Sequence, residues 1–463
     1  MKKFVPHAYQ HRCLSWLIKR TIVDDHAGGA LFLDPGLGKT ATTLAWIKLL
    51  RQLGKAHRVL IVAPLRVVYS VWGQECSKWE QFAGLRCSIL HGSKAAREKA
   101  LAADADLFLI NPEGMEWLKG TGRDFDALVV DESSKFKNWS AKRTKALRKM
   151  LDSFRYRVIL TGTPSPNGIA DLFSQVFIVD QGETLGRNVT QFRERYFYRG
   201  GYGGYQWLPN EGSATAIQKK IAPLAIRLSS EDNLDLPEML INDVWVDLPK
   251  PVLKDYKRLE REMFIALESG EEIVAGNAGS KYNACRQFAG GAVYDEERNA
   301  QSIHDSKITA LLDLIDELQG KPILIAYAYT HELHRIQKAL PKCPAIYGET
   351  SGTEADRLIE KWNSGGLRVL AVQPKSLSHG INMQAGPGRD IAWFSLTDNL
   401  EDYQQLNKRI HRQGVTGNVR IHRLLSRRTV DEAISARLES KDNSQAALLN
   451  AIREYGDRDD PQT

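Results

Sequence analysis

The chain has 463 residues, more than one hydrophobic core usually organises, so we expect two domains. Its composition, 43% apolar and 26% charged, is that of an ordinary globular protein, and a net charge of +7 suits a polyanionic partner without requiring one. Five widely spaced cysteines without a C-x-x-C pair argue against a structural zinc site and a disulfide framework, and no apolar run reaches the length of a membrane span. We therefore expect a cytoplasmic protein with reduced thiols and no membrane partner.

Over residues 1–235, short apolar strands alternate with longer amphipathic helices, which predicts an α/β lobe whose mostly parallel sheet is covered on both faces. Residues 301–445 repeat this pattern and predict a second lobe of similar architecture. The candidate strands are residues 30–33, 59–63, 107–110, 127–130 and 157–160 in the first lobe and 322–326, 344–347, 368–372, 390–394 and 419–424 in the second.

Residues 236–300 separate the two predicted lobes. A polar stretch that ends at Pro237 predicts the link, and residues 250–318 are predicted to be helical, with the strongest amphipathic spacing over 252–267. We therefore expect a linker followed by a helical insertion. Residues 446–463 predict a polar tail.

A glycine-rich turn follows the first predicted strand. In order, it contains Pro35, Gly36, Leu37, Gly38, Lys39 and Thr40. Backbone N–H groups in such a turn point at a phosphate, Lys39 adds a positive charge, and Thr40 offers a hydroxyl to Mg²⁺. Leu33 replaces the first glycine of the general pattern G-x-x-x-x-G-K-[ST], so the loop alone is a partial match.

An acidic pair, Asp131 and Glu132, follows the fourth apolar strand. We expect Asp131 to complete the Mg²⁺ site and Glu132 to act on the attacking water. Taken alone, the turn could be a Gly/Pro-rich connection with a solvated lysine, and the pair could be an acidic helix N-terminus. Because each motif follows an apolar run typical of a buried parallel strand, we favour a site that hydrolyses ATP with Mg²⁺.

In this order the motifs resemble the superfamily-two helicases, and most closely the compact prokaryotic or phage members of the Swi/Snf-type ATPases. The resemblance extends from about Tyr9 to about Ile434 and implies two tandem RecA-like lobes with a helical insertion. It also implies that Gln10, near the N-terminus, contacts the adenine edge of ATP. The alternative for Gln10 is a surface glutamine on an N-terminal helix.

Two further segments of the first lobe follow family patterns. Residues 131–138 end in the expected K-N pair, but Ser133 and Ser134 stand where alanine or glycine and then histidine are usual. This departure raises the question of how the acidic motif contacts the next one. That next motif, residues 160–167, resembles the family string L-T-G-T-P-x-x-N, whose hydroxyl groups suit a segment that senses the nucleotide.

The second lobe supplies the remaining motifs. Residues 376–384 resemble the family segment that contacts both the nucleic-acid backbone and the ATP site, with His379 in place of one glycine. Gln405, Arg409 and Arg412 match the helicase pattern Q-x-x-x-R-x-x-R. The spacing lets both arginines project from one face of a helix, and the resemblance implies that they stabilise the transferring phosphoryl group. The alternative is a solvated basic helix.

Several segments are candidates for contact with nucleic acid. By resemblance these are residues 64–66, 111–115 and 376–379. Residues 192–207 interleave aromatic side chains with arginines, which could form a stacking loop or a strand-separating hairpin. We favour a glycine-rich hairpin packed on the first lobe.

The resemblance implies an ATP-dependent motor, a DNA helicase or translocase, that prefers duplex DNA to single strands or RNA and acts as a monomer. If hydrolysis requires the two lobes to close, repeated closure becomes stepping along phosphates. A strand-separating helicase and an RNA helicase remain alternatives. An alternative of another class is a DNA-binding protein with a degenerate ATPase, which the departures at Leu33, Ser134 and His379 would support. The expected location is the cytoplasm of a prokaryote or of a phage-infected host.

Overall fold

The structure is a computed structural model that describes residues 1–165, 168–200, 206–228, 230–233, 236–268, 272–295, 297–377 and 382–440. The chain divides into two compact units, with the change from one to the other between residues 235 and 236. Each unit is built around one large parallel sheet, so the predicted α/β class with two parallel-sheet lobes is confirmed. Of the helices within the described ranges, none is both long and apolar enough to cross a membrane.

The described residues of the amino-terminal unit form nine strands. They are β1 (Gly28–Leu33), β2 (Val59–Val62), β3 (Cys87–Ile89), β4 (Leu107–Ile110), β5 (Ala127–Asp131), β6 (Tyr156–Thr161), β7 (Phe197–Gly200), β8 (Gln206–Pro209) and β9 (Ala225–Leu228). Seven of them form a sheet in the order β3-β4-β2-β5-β6-β1-β9, and all neighbouring pairs are parallel. Their carboxyl ends therefore lie along one edge of the sheet.

Helices cover both faces of this sheet. They are α1 (Ala8–Ile18), α2 (Lys39–Gln52), α3 (Leu65–Ser70), α4 (Trp72–Lys78), α5 (Lys94–Leu101), α6 (Met115–Lys119), α7 (Lys142–Arg148), α8 (Leu172–Asp180), α9 (Val189–Tyr196), α10 (Ser213–Ile221) and α11 (Ser230–Asn233). Side chains alternate along each strand between two hydrophobic clusters: Leu60 and Val62 pack on one face, and Val59 and Ile61 on the other. Burial on both faces explains why these strands are continuous apolar runs.

The carboxy-terminal unit repeats this architecture. Its strands are β10 (Met239–Val246), β11 (Ala292–Tyr294), β12 (Ala300–Ser302), β13 (Ile323–Ala326), β14 (Ala345–Ile346), β15 (Val369–Val372), β16 (Asp390–Trp393) and β17 (Val419–Ser426). Its helices are α12 (Lys250–Glu268), α13 (Glu272–Gly290), α14 (Ser306–Glu317), α15 (Thr330–Ala339), α16 (Gly352–Asn363), α17 (Leu400–Ile410) and α18 (Val430–Ser440). The parallel sheet has the order β10-β17-β16-β13-β15-β14.

Residues 236–300 contain the predicted helices as α12 and α13, but they also contain strands that the sequence did not predict. Strand β10 pairs in parallel with β17 over eight residues, and the β11–β12 hairpin interrupts the helical stretch after α13. The physical reason is the free edge of β17, whose backbone groups find partners in β10. A side-chain contact reinforces the pairing, because Arg423 Nη2 donates to Asp243 Oδ2 at 2.7 Å.

The predicted hairpin in the aromatic and basic segment is confirmed where the structure describes it. Strands β7 and β8 pair antiparallel, Phe192 and Phe197 are buried in the core, and the guanidinium of Arg199 lies 4.2 Å from the ring centre of Trp207. Its tip, like His379 and the tail predicted for 446–463, lies outside the described residues.

Candidate active site

The turn after β1 adopts a conformation that requires glycine. Gly36 and Gly38 have φ of 96° and 70°, in the left-handed region that side chains disfavour. A Cβ atom on Gly38 would lie 2.1 Å from Gln10 Nε2, so any side chain there would displace the amide of Gln10. Helix α2 begins directly after Gly38, and its first backbone N–H groups face the turn as a phosphate would need.

Lys39 is held over this turn by backbone carbonyl oxygens. Its ammonium donates to Leu33 O at 2.7 Å and to Asp34 O at 3.4 Å. The side chain of Leu33 is fully buried, and the residue acts here through its carbonyl group. A contact through the backbone carbonyl group does not depend on which side chain stands at position 33.

The structure also brings Gln10 to the turn. This side chain is buried, its Oε1 accepts from the backbone N–H of His7 at 2.9 Å, and its Nε2 donates to Leu37 O at 3.5 Å. Gln10 is therefore not the surface glutamine considered above. Its contact with adenine remains a prediction.

The acidic pair lies on the same edge of the sheet, one strand away, since β6 separates β1 from β5. The pKa of Asp131 is raised to about 7, mainly by burial and also by the charge of Glu132, while Lys39 and a hydrogen bond from Trp72 oppose the shift. Glu132 has φ of 59°, an uncommon left-handed conformation for glutamate that is typical of functional sites. A cation bound beside Asp131 would favour the charged carboxylate and offset the cost of burying it.

The donor set of this edge fits Mg²⁺. Thr40, the second residue of α2, offers a hydroxyl, and Asp131 offers a carboxylate whose buried charge a cation would stabilise. Both are hard oxygen ligands, and Mg²⁺ in proteins usually takes one or two carboxylates together with phosphate oxygens.

A buried amide joins the acidic motif to the 160–167 motif. Ser133 Oγ donates to Gln175 Oε1 at 2.7 Å, and Gln175 Nε2 donates to Pro164 O at 2.5 Å. Thr161 Oγ1 also lies 3.5 Å from Glu132 Oε2. Ser133 and Gln175 therefore connect the acidic motif to the 160–167 motif, although serines replace the usual family residues at 133 and 134.

In the carboxy-terminal unit, Gln405 and Arg409 lie on α17 and are both buried. The prediction that Arg412 shares this helix is wrong, because α17 ends at Ile410 and His411 turns the backbone with ψ of 83°. The ring Nε2 of His411 lies 2.7 Å from Pro237 O, which stabilises this turn, and Arg412 donates to Asn382 Oδ1 beyond it. The arginines and the phosphate loop belong to different units.

Two candidate nucleic-acid segments lie on the same edge as the phosphate loop. Residues 64–66 begin α3 at the carboxyl end of β2, and Asn111 follows β4. Three residues beside these motifs were not predicted from the sequence: Trp72, Gln175 and Tyr69. Tyr69 is exposed, and its hydroxyl lies 2.8 Å from His91 Nδ1. Tyr69 could have been suspected from its place one turn after residues 64–66, whereas the roles of Trp72 and Gln175 depend on packing between distant segments.

A phosphate loop, a neighbouring acidic pair and a linked third motif on one edge of a parallel sheet define a nucleoside-triphosphatase of the P-loop class. The model of the SNF2-related domain matches residues 9–276, and that of the helicase conserved C-terminal domain matches residues 306–414. The chain therefore belongs to the SNF2-related family. It is an ATP hydrolase and a motor of the helicase type.

This chain is also similar to individual proteins. Protein p41 of Acyrthosiphon pisum secondary endosymbiont phage 1 is 37% identical over 98% of this chain and all of its own length. YwqA of Bacillus subtilis strain 168, which is named as an ATP-dependent helicase/translocase, is 24% identical to this chain. The match covers 96% of this chain and 48% of the length of YwqA. A solved SWI2/SNF2 ATPase core of Sulfolobus solfataricus in complex with double-stranded DNA is 23% identical, with a TM-score of 0.46 over 98% of this chain and 97% of that one.

Proposed function

We propose that this chain is a DNA translocase that couples ATP hydrolysis to movement along duplex DNA. The observation that carries the proposal is the succession of an SNF2-related domain and a helicase C-terminal domain in one chain. The resemblance to the family supports DNA as the partner and a preference for duplex DNA. It also supports action as a monomer and a location in the cytoplasm of a prokaryote or of a phage-infected host.

The residues of the amino-terminal unit would bind and orient the nucleotide. Lys39 and the backbone N–H groups that begin α2 bind phosphate oxygens, Gln10 contacts the base, and Glu132 accepts a proton from the attacking water. Mg²⁺, held by Thr40 and Asp131, would neutralise charge on the β- and γ-phosphates.

The residues of the carboxy-terminal unit would complete the reaction. Arg409 and Arg412 stabilise charge on the transferring phosphoryl group, and Gln405 contributes to binding the nucleotide. Residues 64–66 and 111–115 contact phosphates of the DNA, so binding would tolerate any sequence and weaken with salt.

Displacement of a third strand tests translocation directly. A triplex-forming oligonucleotide is bound at one end of a duplex, and its release is followed after ATP is added. We expect ATP-dependent release by the wild type and none by Lys39→Ala. Hydrolysis stimulated by duplex DNA without release would contradict translocation, and release of a strand of the duplex itself would favour a strand-separating helicase.

A further inference from the structure

Trp72 contacts the acidic pair directly, although no motif includes it. Its indole Nε1 donates a hydrogen bond to Asp131 Oδ2 at 3.1 Å. The side chain is fully buried, in the cluster that also contains Leu31, Leu160 and Val129 from the three strands around the site. Because a large ring in a packed core has one rotamer available, the N–H group has a fixed direction.

A second fully buried tryptophan of this unit has a neutral acceptor instead. Trp46, also fully buried in this unit, donates its indole N–H to the hydroxyl of Thr21 at 3.0 Å. Both rings therefore satisfy their polar atom, as buried tryptophans usually do. The acceptor of Trp72 is a carboxylate, whereas that of Trp46 is a neutral hydroxyl. Hydrogen bonds to charged acceptors are stronger and more directional than those to neutral ones.

The hydrogen bond from Trp72 restricts the orientation of the Asp131 carboxylate. When Oδ2 is held by a donor fixed in the core, rotation about the terminal torsion of Asp131 is restricted, and a backbone hydrogen bond from Glu132 adds to this restriction. Donors that fix a metal-binding carboxylate typically change metal affinity 10–100-fold when they are removed.

We propose that Trp72 is a positioning residue that orients the Asp131 carboxylate toward Mg²⁺ bound with the nucleotide. The inference rests on the proposed function only in assigning Asp131 to the Mg²⁺ site. Trp72 does not contact substrate, and it acts through the carboxylate alone.

The matched variants are Trp72→Phe and Trp46→Phe. Each removes an indole N–H and part of a ring from an equally buried position, but only the first removes a donor from Asp131. The affinity for fluorescent methylanthraniloyl-ADP is measured with saturating Mg²⁺ and with EDTA, and the ratio of the two affinities is compared between proteins. Thermal unfolding of each protein reports folding, and Trp72→Leu serves as a second donor-free variant should Trp72→Phe not fold.

We expect Trp72→Phe to reduce the Mg²⁺-dependent ratio about tenfold or more and Trp46→Phe to keep it within about twofold. In an Asp131→Asn background, Trp72→Phe should change the ratio no further. Equal ratios for the two tryptophan variants, or a full effect of Trp72→Phe without Asp131, would overturn the inference. A wild-type protein that shows neither Mg²⁺-dependent ADP binding nor ATP hydrolysis would instead contradict the proposed function.

Discussion

The hydroxyl of Ser133 donates a hydrogen bond of 2.7 Å to the side-chain oxygen of Gln175, and both residues are fully buried. The amide nitrogen of Gln175 then donates to the carbonyl oxygens of Pro164 and Asp171. One side chain thus connects the acidic pair with the motif that follows β6. The serine that departs from the family pattern is part of this connection.

Replacement of Gln175 should uncouple these motifs. Gln175→Met keeps the length of the side chain but leaves the Ser133 hydroxyl and two carbonyl groups without their partner, so we expect a loss of about 1–3 kcal/mol in the free energy of unfolding and at least a tenfold fall in kcat. Ser174→Ala is the control, because Ser174 bonds only to Phe136 O among the hydrogen bonds described for its hydroxyl. Urea unfolding and steady-state hydrolysis measure both effects. Equal kcat values for the two variants would show that the connection is merely structural.

Asp131 should make the nucleotide-free protein less stable as pH rises. Its folded-state pKa of about 7 lies above its unfolded value, so its contribution is fully present below about pH 4 and is lost as pH rises through 7. Without Mg²⁺, Asp131→Asn should therefore match the wild type at low pH and exceed it by up to about 4 kcal/mol at pH 8.

Urea unfolding in EDTA between pH 4 and pH 8 measures this difference. Asp124→Asn, at an exposed position just before β5, is the control and should show no such trend. A stability difference for Asp131→Asn that does not change with pH would mean that the carboxyl group is ionised in the folded protein without cost.

Two glycines with similar backbone angles should differ sharply in function. Gly38 and Gly54 have φ of 70° and 65°, but a Cβ atom would meet Gln10 Nε2 only at Gly38, while Gly54 has open space. We expect both alanine variants to lose about 1 kcal/mol or more of stability from backbone strain. Only Gly38→Ala should also lose nucleotide affinity, by at least tenfold, as measured by calorimetry. Measured against Gln10→Ala alone, Gly38→Ala should lose less affinity than it does in the wild type, and an equal loss in both backgrounds would place the cause in the backbone alone.

Arg409 should matter for the chemical step rather than for binding. Arg409→Lys keeps a positive charge but loses the planar fork that matches phosphoryl oxygens, so kcat should fall about a hundredfold or more with little change in KM for ATP. Arg357→Lys, in an exposed ion pair with Glu354 of the same unit, is the control and should leave kcat unchanged. A rise in KM at constant kcat would assign Arg409 to binding alone.

The strands that sequence reasoning missed share one property. All ten predicted strands are present, because most of them are buried on both faces and therefore read as continuous apolar runs. The missed strands of the two large sheets, β3, β9 and β10, all lie at sheet edges. An edge strand is partly exposed, so its sequence mixes polar and apolar residues and gives a weaker pattern.

The candidate site divides in a similar way. Lys39 and Asp131 were predictable because each belongs to a local pattern whose spacing carries the chemistry. Trp72 and Gln175 were not, because their partners lie 59 and 42 residues away in the sequence and meet them only through packing. The end of α17 before Arg412 depends likewise on a contact between His411 and Pro237, at the start of the unit.

The most direct test of the central claim is steady-state ATP hydrolysis without nucleic acid, with single-stranded DNA and with duplex DNA, for the wild type and Lys39→Ala. A motor on duplex DNA predicts strong stimulation by duplex, weaker stimulation by single strands, and loss of all hydrolysis in the variant. Hydrolysis that DNA does not stimulate, or that persists in Lys39→Ala, would contradict the account.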